Sequence, residues 1–424
     1  MARKDRSSTS AAPVDVAVLG AGIVGICAAL SLAERGMRVR LVDRGDPAQA
    51  TSFGNAGVIS PGSILPNSMP GLWKKVPGWL IDPLGPVSVR PGHLPRLAGW
   101  GLRFLAAGRE SRVRAISAAM EHLTRDGITL YRQHLAGTGH EGLIRDASFI
   151  HAFRRARDAR MDGLDTALPR AAGADIERID GAALRAMEPA LSPEFEAAIV
   201  LHGQARTLSP GRLGQVLAKK FLRMGGEIER GTVRSIRPQE EGGWAYLTES
   251  GPHAAPQLVL AMGVWSAALL RPLGIRLPLE AEHGYHVSFT DPGVTLHNSV
   301  MDMDMKFVAS SMAEGLRVAG TAEFAGLDAP VNDKRLAGLV TLAGRLAPGL
   351  NRQAYSTWSG QRPSLPDSLP CLGRFDGFPG LTAAFGHSHH GLMMAPKTGR
   401  IVADLVTGQP VNVDLAPYRP SRFR

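Results

Sequence analysis

The N-terminal part of the chain combines two short apolar runs with a longer segment of helical spacing. Residues 14–19 alternate apolar positions and predict a central parallel strand, whereas residues 23–35 carry apolar residues at the spacing of a helix. Residues 37–42 form a second apolar run that predicts another strand. Strand, helix and strand in this order predict a Rossmann-like βαβ unit.

Farther along, the pattern changes between this α/β type and an antiparallel type. Residues 208–224 predict an amphipathic helix that opens on Ser-Pro, and residues 258–263 predict a short buried strand that closes on glycine. Residues 281–324 alternate apolar and polar positions, which is typical of an antiparallel sheet. We therefore expect the chain to cross more than once between a nucleotide-binding unit and a substrate unit. The other predicted elements are strands at 148–154 and 227–236 and helices at 156–172, 333–346 and 399–408.

Three closely spaced glycines separate the first predicted strand from the first helix. Gly20 supplies a tight turn, Gly22 lets the backbone approach a pyrophosphate, and Gly25 lets the helix pack closely on the sheet. The helix then points its first N–H groups at the phosphates. Gly36 is placed to end the helix in a left-handed cap, and Asp43 ends the second strand, where it can accept a ribose hydroxyl. The sequence thus predicts a dinucleotide site.

Two further segments allow two interpretations each. Residues 45–62 are rich in glycine, serine and asparagine, which predicts a loop that wraps a ligand, with a plain surface loop as the alternative. Residues 72–116 combine a tryptophan–lysine cluster with an arginine-studded helical pattern in which Trp100, Phe104 and Leu105 share one face. In the interpretation that we favour, this face packs onto the rest of the protein. In the alternative interpretation, it contacts a membrane surface.

Composition and charge narrow the class of protein. A chain of 424 residues with 44% apolar residues suits two to three domains and a fully globular fold. The two cysteines, Cys27 and Cys371, predict no disulfide framework, so a reducing, cytoplasmic setting fits best. The net charge of +10 is dispersed over the sequence without aromatic interleaving, so we expect no nucleic-acid partner. Residues 1–13 predict a disordered tail, and no apolar run reaches the length of a membrane span.

An ordered set of motifs extends from residue 14 to the C-terminus. The motifs are GAGIVG with Asp43, TSFGNAG at 51–57, LVLAMGVWSAALL at 258–270, GLRVAGTAEF at 315–324, WSGQRPSLPDSLPCLG at 358–373 and GHSHHGLMMAPKTG at 386–399. With them the chain resembles the FAD-dependent D-amino acid oxidase superfamily, and within it the bacterial D-amino acid dehydrogenases of the small-subunit type. The resemblance implies an α/β fold in which a Rossmann-like FAD-binding domain is interleaved with an α+β substrate domain that contains an antiparallel sheet. We expect residues 14–97, 201–274 and 356–424 in the FAD-binding domain, and residues 98–200 and 275–355 in the substrate domain.

The resemblance also implies how FAD is held. Some relatives tether the flavin through a cysteine seven residues before the aspartate of a Pro-Asp pair, and Gly360 stands there, seven before Asp367, so we expect FAD without a covalent bond. Residues 391–394 would run under the isoalloxazine ring, where the N–H groups of a glycine-rich turn can stabilise the reduced anionic ring. The implied FAD contacts are Leu19, Gly20, Ala21, Gly22, Ile23, Val24, Gly25, Asp43, Arg44, Ser52, Asn55, Gly57, Val58, Val233, Ala261, Met262, Gly263, Trp265, Gly391, Leu392, Met393 and Met394.

Oxidation of an α-amino acid needs a protein that holds and orients the substrate, because hydride leaves the α-carbon for the flavin once the amine is neutral. Arg362 matches the place where relatives keep an arginine that grips the carboxylate bidentately. Tyr285 either binds this carboxylate, covers the pocket or belongs to the core. His387 either orders its turn or donates to substrate. The histidines of HSHH lack the spacing of metal ligands, so we predict no metal.

The resemblance implies oxidative deamination of a D-amino acid to an imino acid, which water hydrolyses to a 2-oxo acid and ammonia. Electrons would pass to a quinone or another acceptor, with peripheral contact to the inner face of the cell membrane as an accompanying hypothesis. Three alternatives stay open: oxidation of a secondary amine such as sarcosine, hydroxyproline or an opine, a nicotinamide-dependent dehydrogenase, and a non-catalytic flavin-binding subunit. His283 and His390 depart from the residues expected in close dehydrogenase relatives, which leaves the substrate range open.

Overall fold

The computed structural model describes residues 14–423, so the tail predicted at 1–13 lies outside the described residues. The strands are β1 Val16–Leu19, β2 Val39–Asp43, β3 Val58–Ile59, β4 Val87–Val89, β5 Ile144–Phe153, β6 Ile176–Asp180, β7 Ala197–Thr207, β8 Glu227–Arg230, β9 Ser235–Pro238, β10 Trp244–Thr248, β11 Gly251–Ala255, β12 Gln257–Leu260, β13 Glu280–Phe289, β14 Ser299–Asp302, β15 Phe307–Met312, β16 Gly315–Phe324, β17 Tyr355–Ser364, β18 Cys371–Arg374 and β19 Leu381–Phe385. The α-helices are α1 Ile23–Ala33, α2 Val76–Ile81, α3 Leu94–Ala107, α4 Glu110–Thr124, α5 Gly127–Leu135, α6 Leu164–Ala171, α7 Gly181–Met187, α8 Pro210–Arg223, α9 Ser266–Leu270, α10 Asp333–Leu346 and α11 Gly391–Thr407.

A six-stranded sheet forms the Rossmann-like part, in the order β18-β19-β12-β1-β2-β8. The central strand β1 reads VAVL and is buried on both faces, as expected for a strand that has parallel neighbours and covering layers. Helix α1 packs along α11, and Gly36 follows α1 with φ +77°, as the predicted left-handed cap requires. The strand–helix–strand unit predicted from the apolar pattern is confirmed. A separate antiparallel sheet, β11-β10-β9, is formed by the residues between β8 and β12.

A ten-stranded sheet forms the second layer, along the path β17-β13-β16-β15-β14-β5-β7-β3, with β4 on β16 and β6 on β7. The antiparallel pattern predicted for residues 281–324 is confirmed, except that β14 runs parallel to β5 and β16 runs parallel to β4. Helix α10 has the predicted bounds and covers one face of this sheet through buried leucines. The mixed α/β architecture with a parallel and a largely antiparallel sheet confirms the predicted fold class.

Three sequence expectations differ from the structure in detail. The single strand predicted at 227–236 is two strands, β8 and β9, which belong to different sheets. The helix predicted at 156–172 is divided into a short 3-10 helix, Ala156–Asp158, and helix α6, because residues 159–163 form an irregular loop between them. The expected domain boundaries at 200/201 and 355/356 fall inside β7 and β17, and both strands are hydrogen-bonded in the ten-stranded sheet.

The arginine-studded segment after residue 71 has a mixed environment. Trp100 of α3 is buried and stacks on Phe104, which agrees with the packing interpretation. On the same segment Ile81 is 84% exposed, Leu102 72% and Trp73 62%, so a part of its apolar surface has no cover within residues 14–423. None of the helices in these residues combines the length and the apolar character needed to cross a membrane.

Candidate functional site

A cavity of about 1260 Å³ lies between the two sheets. The glycine turn after β1 and the ends of β2 and β12 line one end of it. The first turn of α11 and the residues of β13, β16 and β17 that face the six-stranded sheet line the other. The carboxyl ends of parallel strands are where open α/β sheets bind ligands, so this placement agrees with the first expectation from the glycine spacing.

The glycine turn is packed too tightly for side chains. A Cβ atom on Gly20, whose φ is +108°, would lie 2.5 Å from the carbonyl oxygen of Ala261. A Cβ atom on Gly25 would lie 1.8 Å from the carbonyl oxygen of Gly20, so glycine is needed where helix α1 meets the turn. Gly22 lines the cavity, and the nearest atom to a Cβ there is Ser52 Oγ at 3.5 Å. The turn therefore presents bare backbone to a ligand.

Asp43 and Ser52 fix the backbone around this turn. One carboxylate oxygen of Asp43 accepts the N–H of Ala21 at 2.7 Å, and the other accepts the N–H of Gly45 at 2.9 Å. Ser52 Oγ accepts the N–H of Ile23 at 2.9 Å, at the N-terminus of α1. The 45–62 loop is thus held against the helix end where a dinucleotide phosphate would bind, which favours the ligand-wrapping interpretation over a plain surface loop.

The first turn of α11 lines the opposite end of the cavity. Gly391 is the first helical residue, so residues 391–394 belong to a helix of 17 residues and not to the glycine-rich turn that the sequence suggested. A helix start can still donate hydrogen bonds to a ligand, because the first N–H groups of a helix lack intrahelical partners and lie at the positive end of its dipole. His390 precedes the helix, is buried, and its Nδ1 has no hydrogen-bond partner among the described residues.

Arg362 of β17 reaches into the cavity across β13. Its Nη1 donates to Glu282 Oε1 and to the carbonyl oxygen of Thr321, both at 2.9 Å. Its Nε and Nη2 make no hydrogen bond to another residue within 14–423. A Cβ atom on Gly284 would lie 2.3 Å from the guanidinium carbon, so the glycine makes room for the arginine. One edge of the guanidinium is fixed by the protein, and the rest can serve a planar anion.

Glu282 is the buried partner of this arginine. Its Oε1 also accepts from His389 Nε2 at 2.8 Å, and Asn67 Nδ2 lies 3.0 Å from the other ring nitrogen of His389. Burial alone would raise the pKa of the Glu282 carboxyl, but the neighbouring His389 and Arg362 lower it to about 2. The carboxylate therefore stays ionised and neutralises part of the positive charge at this end of the cavity.

Thr321 lies between the arginine and the rest of the sheet. Its φ is +56°, a left-handed conformation that is rare for a β-branched residue. Its Oγ1 is buried without a hydrogen-bond partner among the described residues, and it lines the cavity. Strained residues with an unsatisfied polar group cluster at ligand sites, because the surrounding structure must hold them in place.

His387 lines the cavity from the segment before α11. Its Nε2 lies 3.0 Å from the hydroxyl of Thr398, and burial lowers its pKa to about 3. A neutral imidazole that is hydrogen-bonded to the helix behind it orders the segment at Gly386, the first of the two roles open for it. Within the described residues, no group of three or more His, Cys, Asp or Glu side chains is arranged to hold a metal ion.

Comparison with known protein families shows to which family the chain belongs. The family described as FAD dependent oxidoreductase matches residues 15–405, which is nearly the whole chain. The chain belongs to this family. It is an enzyme family of flavoproteins, so FAD is the cofactor that the cavity takes, and the predicted resemblance, enzyme class and cofactor are confirmed.

Full-length relatives and a solved structure agree with this assignment. The flavoprotein is 36% identical over 415 residues to a D-amino-acid oxidase of Bradyrhizobium diazoefficiens, covering 96% of this chain and 98% of the relative. It is 32% identical over 422 residues to a D-amino acid dehydrogenase of Xanthobacter autotrophicus, covering 96% and 99%. The crystal structure of glycine oxidase from Geobacillus kaustophilus superposes with a TM-score of 0.74, at 24% identity and with 97% and 99% of the chains covered, and this shows the shared fold.

The residues of the flavoprotein fit a bound FAD at both ends. The glycine turn leaves no room for a side chain and exposes the N-terminus of α1, while His390 Nδ1 and Thr321 Oγ1 are buried polar atoms that lack a partner in the described chain. At the rim, the guanidinium of Arg44 lies 4.1 Å from the ring centre of Trp265, and Val233 adds apolar wall. A ligand with phosphates at one end and a polar ring system at the other suits this lining.

The structure brings most predicted contacts to the wall of the cavity. Five of the predicted FAD contacts stand behind that wall, where they support the turn or the helix without lining the space: Leu19, Ala21, Gly25, Gly57 and Met394. The predicted contacts that line it are Gly20, Gly22, Ile23, Val24, Asp43, Arg44, Ser52, Asn55, Val58, Val233, Ala261, Met262, Gly263, Trp265, Gly391, Leu392 and Met393, together with Arg362 and His387.

Tyr285 does not reach the cavity. It is fully buried in the apolar core between the ten-stranded sheet and α10, and its hydroxyl donates to Glu323. Burial, followed by the Glu323 charge, raises the pKa of this phenol. Of the three interpretations offered for it, the structure places it in the core, on the opposite face of β13 from Glu282.

Sequence reasoning missed several polar residues of the cavity. Glu282 carried a signal, since an acid that shares a strand face with Gly284 and His286 marks a face that is not apolar core. Thr321 carried none, because its backbone conformation depends on its neighbours in the folded sheet. Lys306, in the turn after β14, and His151, in β5, also line the cavity, but only the pairing of strands in the folded sheet brings them to the same cavity as Arg362.

Proposed function

We propose that this flavoprotein oxidises the α-carbon of a D-amino acid to an imino acid, which water converts to a 2-oxo acid and ammonia. The observation that carries the proposal is Arg362, which lines the cavity with its Nη1 fixed by Glu282 and Thr321 and its other N–H groups without a hydrogen bond to another described residue. An α-carboxylate bound there would lie beside the first turn of α11. The names of the full-length relatives, D-amino-acid oxidase and D-amino acid dehydrogenase, support the same substrate class.

FAD, when bound, takes up the hydride from the α-carbon and so supplies the redox chemistry. The protein supplies position. Arg362 holds the carboxylate, Glu282 keeps the guanidinium in one orientation, and the apolar walls of the cavity exclude water from the reacting carbon. His387 and His390 stay neutral at physiological pH, because burial lowers the pKa of each to about 3, so neither adds positive charge beside the substrate amine.

The flavin is held without a covalent bond in this proposal. Gly360 stands where a tethering cysteine would be, and a Cβ atom there would lie 2.3 Å from the ring of Trp358. The free cysteines Cys27 and Cys371 are both buried, and burial raises the pKa of each thiol. Denaturation with trichloroacetic acid should release all yellow colour into the supernatant, and colour in the pellet would contradict the proposal.

Anaerobic mixing of the yellow protein with single amino acids tests the activity. We expect D-amino acids to bleach the flavin absorbance near 450 nm and their L forms to leave it unchanged. Bleaching by L forms alone would overturn the proposal. Bleaching by sarcosine, hydroxyproline or an opine, without bleaching by any D-amino acid, would select the secondary-amine alternative.

The electron acceptor follows from the second half of the same experiment. We propose a quinone or another organic acceptor in place of oxygen, since the cavity wall includes apolar side chains of α2 and α3 such as Leu80, Leu97 and Leu105. Protein reduced by a D-amino acid should be reoxidised faster by a short-chain ubiquinone than by air-saturated buffer. A faster reaction with oxygen would make it an oxidase.

We further propose that the surface around α2 contacts anionic membranes. Trp73 and Ile81 are exposed there, and the exposed Lys74 and Lys75 lie between them in the chain, a combination of apolar and basic side chains that suits a lipid surface. The protein should sediment with vesicles that contain phosphatidylglycerol, and less so at high salt. Ile81→Asp should reduce this binding, whereas Leu222→Asp, at an exposed leucine of α8, should not. Equal loss in both variants, or no binding at any salt concentration, would exclude the contact.

A further inference from the structure

Lys306 ends the turn between β14 and β15 and lines the cavity that also receives Arg362. Its φ of +55° places it in the left-handed region, which is uncommon for lysine. Asp302 holds this turn: its carbonyl accepts the Lys306 N–H at 2.8 Å, and its carboxylate accepts the N–H groups of Asp304 and Met305 at 3.0 Å. The lysine is therefore held in a strained conformation on the cavity wall.

The ammonium group of Lys306 makes no close ion pair within residues 14–423, and Asp165, Asp304 and Asp302 act on it only at longer range. Its hydrogen-bond contact is the thioether sulfur of Met303 at 3.9 Å. The acids of its own turn are paired elsewhere, since Arg154 lies 2.8 Å from Asp302 and 3.6 Å from Asp304. Burial, and then the charge of Lys75, lowers the pKa of Lys306. A half-buried cation on a largely apolar wall is stabilised by an anionic ligand.

The wall around Lys306 offers His151 as a second donor. His151 lines the same part of the cavity, makes no hydrogen bond to another described residue, and packs edge-on to Phe149. Burial and the Lys306 charge lower the pKa of His151 to about 3, so it is neutral and has one N–H to donate. Met301 and Val308 complete this part of the wall, while Asp165 and Lys75 stand at its outer side.

Arg362 and Lys306 approach strand β16 of the ten-stranded sheet from opposite sides. Phe307 pairs with Gly320, so Lys306 follows at the level of Thr321 on the neighbouring strand. The carbonyl of Thr321 accepts from Arg362 at 2.9 Å, so the guanidinium reaches the same strand from the other side. Neighbouring strands are about 4.8 Å apart. A small molecule can therefore contact Arg362 and Lys306 together, with the unpartnered Thr321 hydroxyl between them.

We propose that Lys306, with His151 beside it, binds an anionic group on the substrate side chain, so that the enzyme acts on amino acids with an acidic side chain. This inference rests on the proposed function, in which Arg362 takes the α-carboxylate. Two cations at the two ends of one site fit a dicarboxylic amino acid, since each carboxylate then meets its own charge-assisted donor. Glu282 does not oppose such a ligand, because its carboxylate is already paired with Arg362 and accepts a hydrogen bond from His389.

Ligand binding to the oxidised holoenzyme tests the subsite without turnover. The probes are glutarate and pentanoate, which share a five-carbon chain and differ in the second carboxylate, and the readout is the perturbation of the flavin spectrum. We expect glutarate to bind at least about tenfold more tightly than pentanoate. Lys306→Met should abolish this preference, and Lys219→Met, at an exposed lysine of α8, should retain it. Equal affinities, or a preference that survives Lys306→Met, overturns the inference.

Turnover separates this inference from the proposed function. With the wild type, kcat/KM for D-glutamate should exceed that for D-glutamine by about tenfold or more, and Lys306→Met should reverse the order with little change for D-glutamine. Oxidation of neutral D-amino acids without a preference for D-glutamate, or with a D-glutamate preference that Lys306→Met does not remove, would leave the activity in place and overturn the subsite. Glutarate-specific binding in a protein that no D-amino acid bleaches would do the opposite, retaining the anion site and refuting the activity.

Discussion

Replacing Glu282 by glutamine should weaken the folded protein by an amount that can be estimated from its contacts. The carboxylate is buried, and Oε1 accepts from Arg362 at 2.9 Å and from His389 at 2.8 Å. These partners outweigh the cost of burial and lower its pKa from 4.5 to about 2. A shift of this size corresponds to about 3 kcal/mol of folding free energy, because the folded state binds the ionised form more strongly than the unfolded state does.

The sign gives a pH profile. A group whose pKa is lower in the folded than in the unfolded state contributes its full stability above the unfolded pKa. It loses this contribution as the pH falls through the folded pKa. The free energy of unfolding of Glu282→Gln should therefore lie about 3 kcal/mol below the wild type at pH 7. The difference should stay constant down to about pH 4.5 and narrow toward pH 2.

Denaturant unfolding of the FAD-saturated proteins at pH 7, 5 and 3.5 measures this difference at a fixed cofactor concentration. Glu110→Gln is the matched control, since Glu110 pairs with Arg114 at 2.7 Å on the exposed surface, where such a pair contributes less than about 1 kcal/mol. A Glu282→Gln variant as stable as the control at pH 7, or a difference that widens as the pH falls, would refute the reasoning.

Three further substitutions test other parts of the site. Gly25→Ala would place a Cβ atom 1.8 Å from the Gly20 carbonyl, so the purified variant should lack the 450 nm absorbance of FAD, whereas Gly99→Ala, with nothing within 4 Å, should keep it. Arg362→Lys should lower kcat/KM about tenfold to a hundredfold with FAD content unchanged, since a bidentate donor becomes a point charge, and an unaltered kcat/KM would remove the arginine from the site. Tyr285→Phe should cost about 1 kcal/mol in thermal unfolding and leave kcat/KM within twofold, and a large loss of activity would return this tyrosine to the pocket.

The nucleotide end of the site could be predicted because its requirements are local. The positive φ at Gly20, the contact of Gly25 with the Gly20 carbonyl and the cap at Gly36 each depend on residues close in sequence, and glycine is the residue that each position needs. The distant members of the same wall, such as Gly391 and Trp265, came from the likeness of whole motifs to a known family. Spacing alone says nothing of how residues 370 positions apart meet.

The substrate end depends on sheet pairing, which the sequence does not state. Arg362 contacts Glu282 because β17 pairs with β13, and it contacts Thr321 because β13 in turn pairs with β16. The sequence placed β17 in the nucleotide-binding part, so the arginine was expected without its partners. Lys306 was overlooked for the same reason, since three strand pairings separate it from the motif that contains Arg362.

In strand β13, the alternation of side chains already indicates which face lies in the core and which face lines the cavity. Successive side chains of a strand point to opposite faces, so Tyr285 shares its face with Val287 and Phe289, and three large apolar or aromatic residues on one face indicate core. Glu282 and Gly284 share the other face. Burying an acid against an apolar layer is costly unless a charged or polar partner lies beside it, and the missing side chain of Gly284 leaves room for such a partner. Arg362 is that partner, with its guanidinium over Gly284. The face with the acid and the glycine, and not the face with the tyrosine, is therefore the one that a ligand meets.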